Sequence, residues 1–245
     1  MVRFIPYLKY LLKSKHKYGF GIHSPYLFHL QTVIVEEELP YYCYFNIERV
    51  RKQCAESSEK LEDGSSSLGE FTKGKSHKAK YDQLTFRLAN YFSPNKMLLL
   101  GDDSGFTTAY LASHHKKTSL KVSSLVTKQQ KEILGRNRWS RFSNVEFLPD
   151  GNYKKVLNEN TDCDLLYIAD SEIIEDCIDD LSRWLAGNSK DAMVIVREPY
   201  KTEQSENQWK KLITQNIADA SLDFFHLGVL IKKSELTKSN LIVKY

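Results

Sequence analysis

The feature that most constrains this chain is an alternation that begins at Lys80 and runs almost to the C-terminus. Tyr81, Leu84, Leu88, Tyr91 and Phe92 recur at helical spacing, and Ser93-Pro94 ends that helix. Apolar strand-like runs at residues 96–100, 120–126, 144–148, 164–169 and 192–197 then alternate with helical stretches at 107–113, 128–136, 153–158, 172–185 and 203–217. Five strand-helix units imply a parallel sheet covered on both faces, because each helical crossover returns the chain to the same end of the sheet. After Ala220 the helices stop, and SLDFFHLGVLIKK with NLIVKY supplies two or three strands. With no crossover helix between them, antiparallel pairing at a sheet edge is expected.

The preceding residues divide in two. Residues 1–56 read as a helical cap. Phe4, Leu8, Leu11 and Leu12 recur at helical spacing, with Arg3, Lys9 and Lys13 beside them, and further helices are expected at 26–37 and 45–55. No acid precedes Glu36, whereas Arg3, Lys9, Lys13, Lys15, Lys17, His16, His23 and His29 do. The expectation for this first helix is packing on one side with a solvated basic face. A membrane surface is not the expected partner, since one short helix holds a bilayer weakly without a second anchor. Residues 57–78 are rich in Ser, Gly, Lys and Glu and read as a flexible loop, leaving 79–245 as the α/β domain.

Charge and cysteines exclude several classes. A net charge of +4 with pI near 8.7 is too mild to imply nucleic acid, which usually calls for a concentrated basic face. Cys43, Cys54, Cys163 and Cys177 show no C-x-x-C spacing, so reduced thiols in a cytoplasm are expected and a zinc site is not. No apolar run approaches the ~20 residues of a membrane span.

Chemistry is expected at MLLLGDDSGFTTAYLA, where the first strand meets a helix. In a doubly wound sheet, ligands bind outside the carboxyl ends of the strands, and this turn is the usual cofactor loop. Gly101 and Gly105 permit positive φ and close approach, and the helix start offers free N–H groups to an anion. Asp102, Asp103, Ser104 and Thr107 complete the candidate set. For the two acids, helix capping and ligand contact are equally good readings. The loop lacks G-x-G-x-x-G and G-K-[ST], which disfavours a dehydrogenase or an NTPase. A metal site is not expected.

LLLGDDSGFTTAYLA resembles motif I of the class I S-adenosylmethionine-dependent methyltransferases. The chain is also similar to a bacterial methyltransferase-like family in GFGIHSPYLF, YYCYFNIERVR, YDQLTFRLANYF, DLLYIAD, NQWKKL and SLDFFHLGVLIKK, which fall in order. The resemblance implies a Rossmann-like, seven-stranded, mostly parallel sheet with antiparallel C-terminal strands, S-adenosylmethionine as cofactor and a small-molecule acceptor. It also implies acids that this chain lacks. Leu99 stands where the strand-end acid would hold the cofactor's ammonium, and Val126 where an acid would accept the ribose hydroxyls. Ala169-Asp170 replaces an Asp-Gly pair, and Arg197-Glu198 an Asp-Asp pair. Asp170, one residue late, is the candidate catalytic residue, positioned to orient or deprotonate an acceptor. Two readings follow: a methyltransferase-like protein with weakened or lost catalysis, or a non-catalytic binding module that kept the fold.

Overall fold

Pro94 closes the helix at Ala79–Phe92, and Ser93, at φ 53°, turns the chain into the first strand. The computed structural model describes residues 3–136, 142–149, 151–187 and 191–245. Its strands are β1 Lys96–Leu100, β2 Ser119–Ser123, β3 Val145–Phe147, β4 Leu165–Ile168, β5 Ala192–Arg197, β6 Ala220–Asp223, β7 Leu227–Lys232 and β8 Ser239–Ile242. They form one sheet in the order β3-β2-β1-β4-β5-β7-β6-β8. β7 is antiparallel to both β5 and β6, and every other neighbouring pair is parallel. The order reverses between β1 and β4, which places the topological switch point beside Gly101.

The expected antiparallel finish is present in β7, but β7 lies inside the sheet. The edge is β8, an eighth strand that runs parallel to β6. The chain leaves β7, passes the end of β6 and returns on its far side. There Lys15 pairs with Val243 through Lys15 N–H to Ile242 O (2.9 Å) and Lys244 N–H to Lys15 O (3.2 Å), so the N-terminal segment caps the edge.

Among the described residues ten α-helices surround the sheet: α1 Phe4–Lys13, α2 Pro25–His29, α3 Tyr42–Glu56, α4 Leu68–Lys75, α5 Ala79–Phe92, α6 Phe106–Ser113, α7 Thr127–Arg136, α8 Tyr153–Glu159, α9 Ile173–Gly187 and α10 Glu203–Thr214. Strand alternation sorts the core into two faces. Met97, Leu99, Leu120, Val122, Leu165, Tyr167 and Ile195 pack with α5, α6 and the N-terminal Leu27, Leu30 and Val35. Leu98, Leu100, Leu166, Ile168, Val194 and Val196 pack with α8, α9 and α10. A third cluster joins α3, α4, α6 and α7 around Phe86 and Tyr110.

Two expectations need correction. Residues 57–78 do not form a structureless loop: Lys60 bridges Ser67, and α4 follows with Leu68 and Phe71 buried against α3. Sparse apolar residues concealed it, because a helix of about two turns needs only two anchors when its N-terminus is capped. The second correction concerns α1. The side packed on the protein carries Pro6 and Tyr10, and the apolar stripe of Phe4, Leu8, Leu11 and Leu12 faces outward.

Candidate functional site

The turn from β1 into α6 is built by its two glycines. Gly101 and Gly105 sit at φ 97° and 95°, where an L side chain is strained. Both positions are also crowded by the protein itself. A Cβ on Gly101 would stand 2.7 Å from Ile173 Cδ1 and 3.1 Å from Asp170 N, and one on Gly105 would stand 3.3 Å from Gln130 O.

The two acids have separated roles. Asp103 is fully buried and accepts hydrogen bonds from Gly105 N (2.9 Å), Thr108 N (3.3 Å), Thr108 Oγ1 (3.2 Å) and the Gln130 amide. It therefore caps α6 from inside, and burial pushes its carboxyl above the usual range despite those N–H donors. Asp102 points the other way. Its Oδ1 accepts from Ser124 Oγ (3.0 Å) and Leu125 N (2.9 Å), and its Oδ2 from Lys75 Nζ (3.1 Å). A carboxylate that the sequence places on the β1 loop is thus delivered to the end of β2. That is the place where Val126 leaves the implied acid missing, while Val126 itself packs against the third core cluster.

Ser104 and Thr107 are not brought to the crevice. Ser104, buried, shares a hydrogen bond with Ser76 Oγ (2.8 Å). Thr107 donates to Asp82 Oδ1 (2.7 Å), whose Oδ2 receives Arg51 Nη2 (2.7 Å), so it belongs to an internal network. Asp170 follows the carboxyl end of β4, beside the switch point, with its side chain about one third exposed. Its Oδ1 accepts from Glu172 N (3.2 Å) and Lys201 Nζ (3.3 Å), and among the described residues its Oδ2 has no partner.

Lys75, His77 and His226 join the site without having been singled out from the sequence, beside residues already named there such as Arg197 and Glu198. Lys75 and Lys201 are set over the two acids, and Tyr153 stands near both: burial first, then the charges of Asp102 and Asp170, push its hydroxyl up to about 12. At the end of β5, Arg197 and Glu198 do not pair. Arg197 donates to Lys75 O (2.9 Å), and Glu198, at φ 50°, meets His226 Nδ1 at 2.8 Å and His77 Nε2 at 3.7 Å. Burial raises the Glu198 pKa, but the hydrogen bond and charge of His226 outweigh it and hold the carboxyl below its ordinary value. The signal available in the sequence was position alone, since each of these residues follows a strand's carboxyl end or precedes α5.

Among the described residues no group of three or more His, Cys, Asp and Glu could hold a metal, and no helix is long and apolar enough to cross a membrane. All four cysteines are buried free thiols.

No protein-family profile matches the sequence, and comparison with curated proteins finds no match. Solved structures do share the fold. A putative O-methyltransferase from Klebsiella pneumoniae superposes with a TM-score of 0.51 at 12% identity, covering 84% of this chain and 94% of that one. The O-methyltransferase TomG from Streptomyces achromogenes, solved with S-adenosylmethionine, gives 0.50 at 12% identity over 84% and 95%. An O-methyltransferase from Bacillus cereus, solved with S-adenosylhomocysteine, gives 0.50 at 10% identity over 84% and 96%. With its strand order, its single reversed strand and its glycine turn at the switch point, the chain has the Rossmann-like fold of the class I S-adenosylmethionine-dependent methyltransferases.

Proposed function

We propose that this is a methyltransferase-like protein that binds S-adenosylmethionine in the crevice between β1 and β4 and takes a small-molecule acceptor. The observation that carries the reading is the reach of Asp102 from the glycine turn to the end of β2. Asp102 Oδ2 would exchange Lys75 for a ribose hydroxyl or the cofactor's ammonium, and displaced Lys75 would face the cofactor's carboxylate. Asp103 already takes two of the free N–H groups at the start of α6, those of Gly105 and Thr108, and its buried carboxyl makes that end a poor seat for the cofactor's carboxylate. When bound, the cofactor supplies an electrophilic methyl group on sulfur.

The chain's own contribution is then positioning, which holds an acceptor in line with that methyl. Asp170 Oδ2 takes the acceptor's hydroxyl proton in a hydrogen bond, while Lys201 and Glu172 N–H hold the other oxygen still. The absent acid at Leu99 has a cost. A charge-assisted hydrogen bond forgone is worth roughly 1.5–3 kcal/mol, or about one to two powers of ten in affinity. We therefore expect weak binding.

Calorimetry with S-adenosylmethionine and S-adenosylhomocysteine tests this. The expected result is binding to the wild type that weakens at least about tenfold in Asp102→Ala, the loss of one charge-assisted bond. Asp103→Ala is not the test, since it removes an internal cap. A second reading, a non-catalytic module, is favoured by Ile173 packing directly on Gly101. Absence of heat with either ligand at millimolar concentration would leave that reading standing.

A further inference from the structure

We infer that α1 docks this protein on an anionic lipid surface, apolar face first. The helix is fixed to the protein from behind. Pro6 and Tyr10 are buried, Tyr10 donates its hydroxyl to Val243 O (2.6 Å), Tyr7 meets the Phe225 ring edge-on at 5.0 Å, and Arg3 pairs with Glu206 at 2.7 Å. The opposite side carries the apolar residues. Phe4 is 74% exposed, Ile5 66%, Leu8 45%, Leu11 43% and Leu12 76%. At the helical repeat these five fall within an arc of about 120° centred opposite Pro6 and Tyr10.

An amphipathic helix serving only this protein would turn that stripe inward. Outward presentation costs stability in water unless something apolar covers it. The chain continues into a second exposed apolar element. In the turn at residues 16–20, Tyr18 is 71% and Phe20 81% exposed. Lys15 is pinned to the sheet edge just before it. In the proposed docking these two rings are the second anchor that a lone short helix lacks.

Charge selects the partner. Lys9, Lys13, Lys15 and Lys17 have no carboxylate within ion-pair distance among the described residues, and Lys9 and Lys13 line a 470 Å3 cavity with Lys210 at the flank of α1. Three neighbouring acids are engaged, Glu206 with Arg3 and Lys210, Asp223 with Tyr200 and Trp209, and Glu36 with Tyr18 N–H and Gln31, while Glu37 and Glu38 line a separate cavity beside Lys17 and Tyr18. A second copy docked through the same face would bring these lysines together with no acid before Glu36 to answer them. A surface of anionic headgroups over an acyl layer answers both the lysines and the apolar stripe.

The test is flotation of the full-length protein with vesicles of phosphatidylglycerol or of phosphatidylcholine, at low and high salt. Sedimentation velocity without lipid runs alongside. The expected result is binding to phosphatidylglycerol alone, weakened by salt. Lys9→Ala with Lys13→Ala reduces it more than about tenfold, from roughly fivefold per lysine at an anionic surface. Leu8→Ser with Leu12→Ser, both exposed and so compatible with folding, abolishes it. Failure to float with phosphatidylglycerol, binding that the leucine variant leaves unchanged, or α1-dependent self-association without lipid would each overturn the inference.

Discussion

His77 shows at the residue scale what burial does to a titratable group. It is 4% exposed, its ring stacks on Tyr81 at 5.0 Å, and neither ring nitrogen has a hydrogen-bond partner among the described residues. Burial, followed by the positive charge of Arg197, holds its pKa well below 6.5, although Glu198 acts in the other direction. The sign follows from linkage: the unfolded chain takes this proton below about pH 6.5 and the folded chain does not. Stability therefore falls as pH drops below about 6.5, by up to about 1.4 kcal/mol per pH unit for one proton. His77→Phe keeps the stacking and removes the titration. Denaturant melts between about pH 5 and 7 should show a shallower slope in the variant. An unchanged slope would assign it to other groups, among them His114, which burial also shifts down.

The informative element is α4. Its end Lys75, with Ser76 and His77 just beyond, forms one wall of the site through Lys75–Asp102, Arg197–Lys75 O and Ser76–Ser104. The helix is held by a capping box: Ser67 Oγ accepts from Glu70 N (3.2 Å), and Glu70 Oε2 accepts from Ser67 N (2.9 Å). That Ser-x-x-Glu spacing was present in the sequence and was a better signal than periodicity, which eight residues with two large apolar anchors cannot display. Ser67→Ala should cost about 1 kcal/mol. Hydrogen exchange at residues 68–75 should accelerate while the β-sheet amides stay protected. Uniform acceleration across the sheet would mean that α4 opens only with the whole molecule.

Across the whole molecule, residues 10–15 and 243–245 meet at one sheet edge. Val243 is fully buried, Tyr10 donates to its carbonyl, and Arg87 spans Ile34 O, Val35 O and the Tyr245 hydroxyl. Tyr245 in turn donates to Lys80 O at the start of α5. A chain ending at Lys238 loses β8, the Lys15 pairing and the burial of Leu241 and Val243. The expected loss is about 3 kcal/mol or more, a fall of roughly 6–12 °C in Tm for a chain of this size. An unchanged Tm in calorimetry would show that the eighth strand adds no stability.

Local periodicity by itself determined the layered α/β plan. Residues 96–100 and 192–197 were readable to the residue, because continuous apolar runs bounded by Pro, Asn and Asp have one solution in a doubly covered sheet. The site was half legible. Gly101 and Gly105 had to be a turn, since their spacing after a strand admits little else. Which acid would cap and which would reach the end of β2 depended on Gln130 and Ser124, more than twenty residues away, and no local pattern encodes that distance. The direction of α1's apolar stripe was decided the same way. Its period states that one face is apolar, and only the placement of Tyr10, Phe225 and Val243 around it says that this face looks outward.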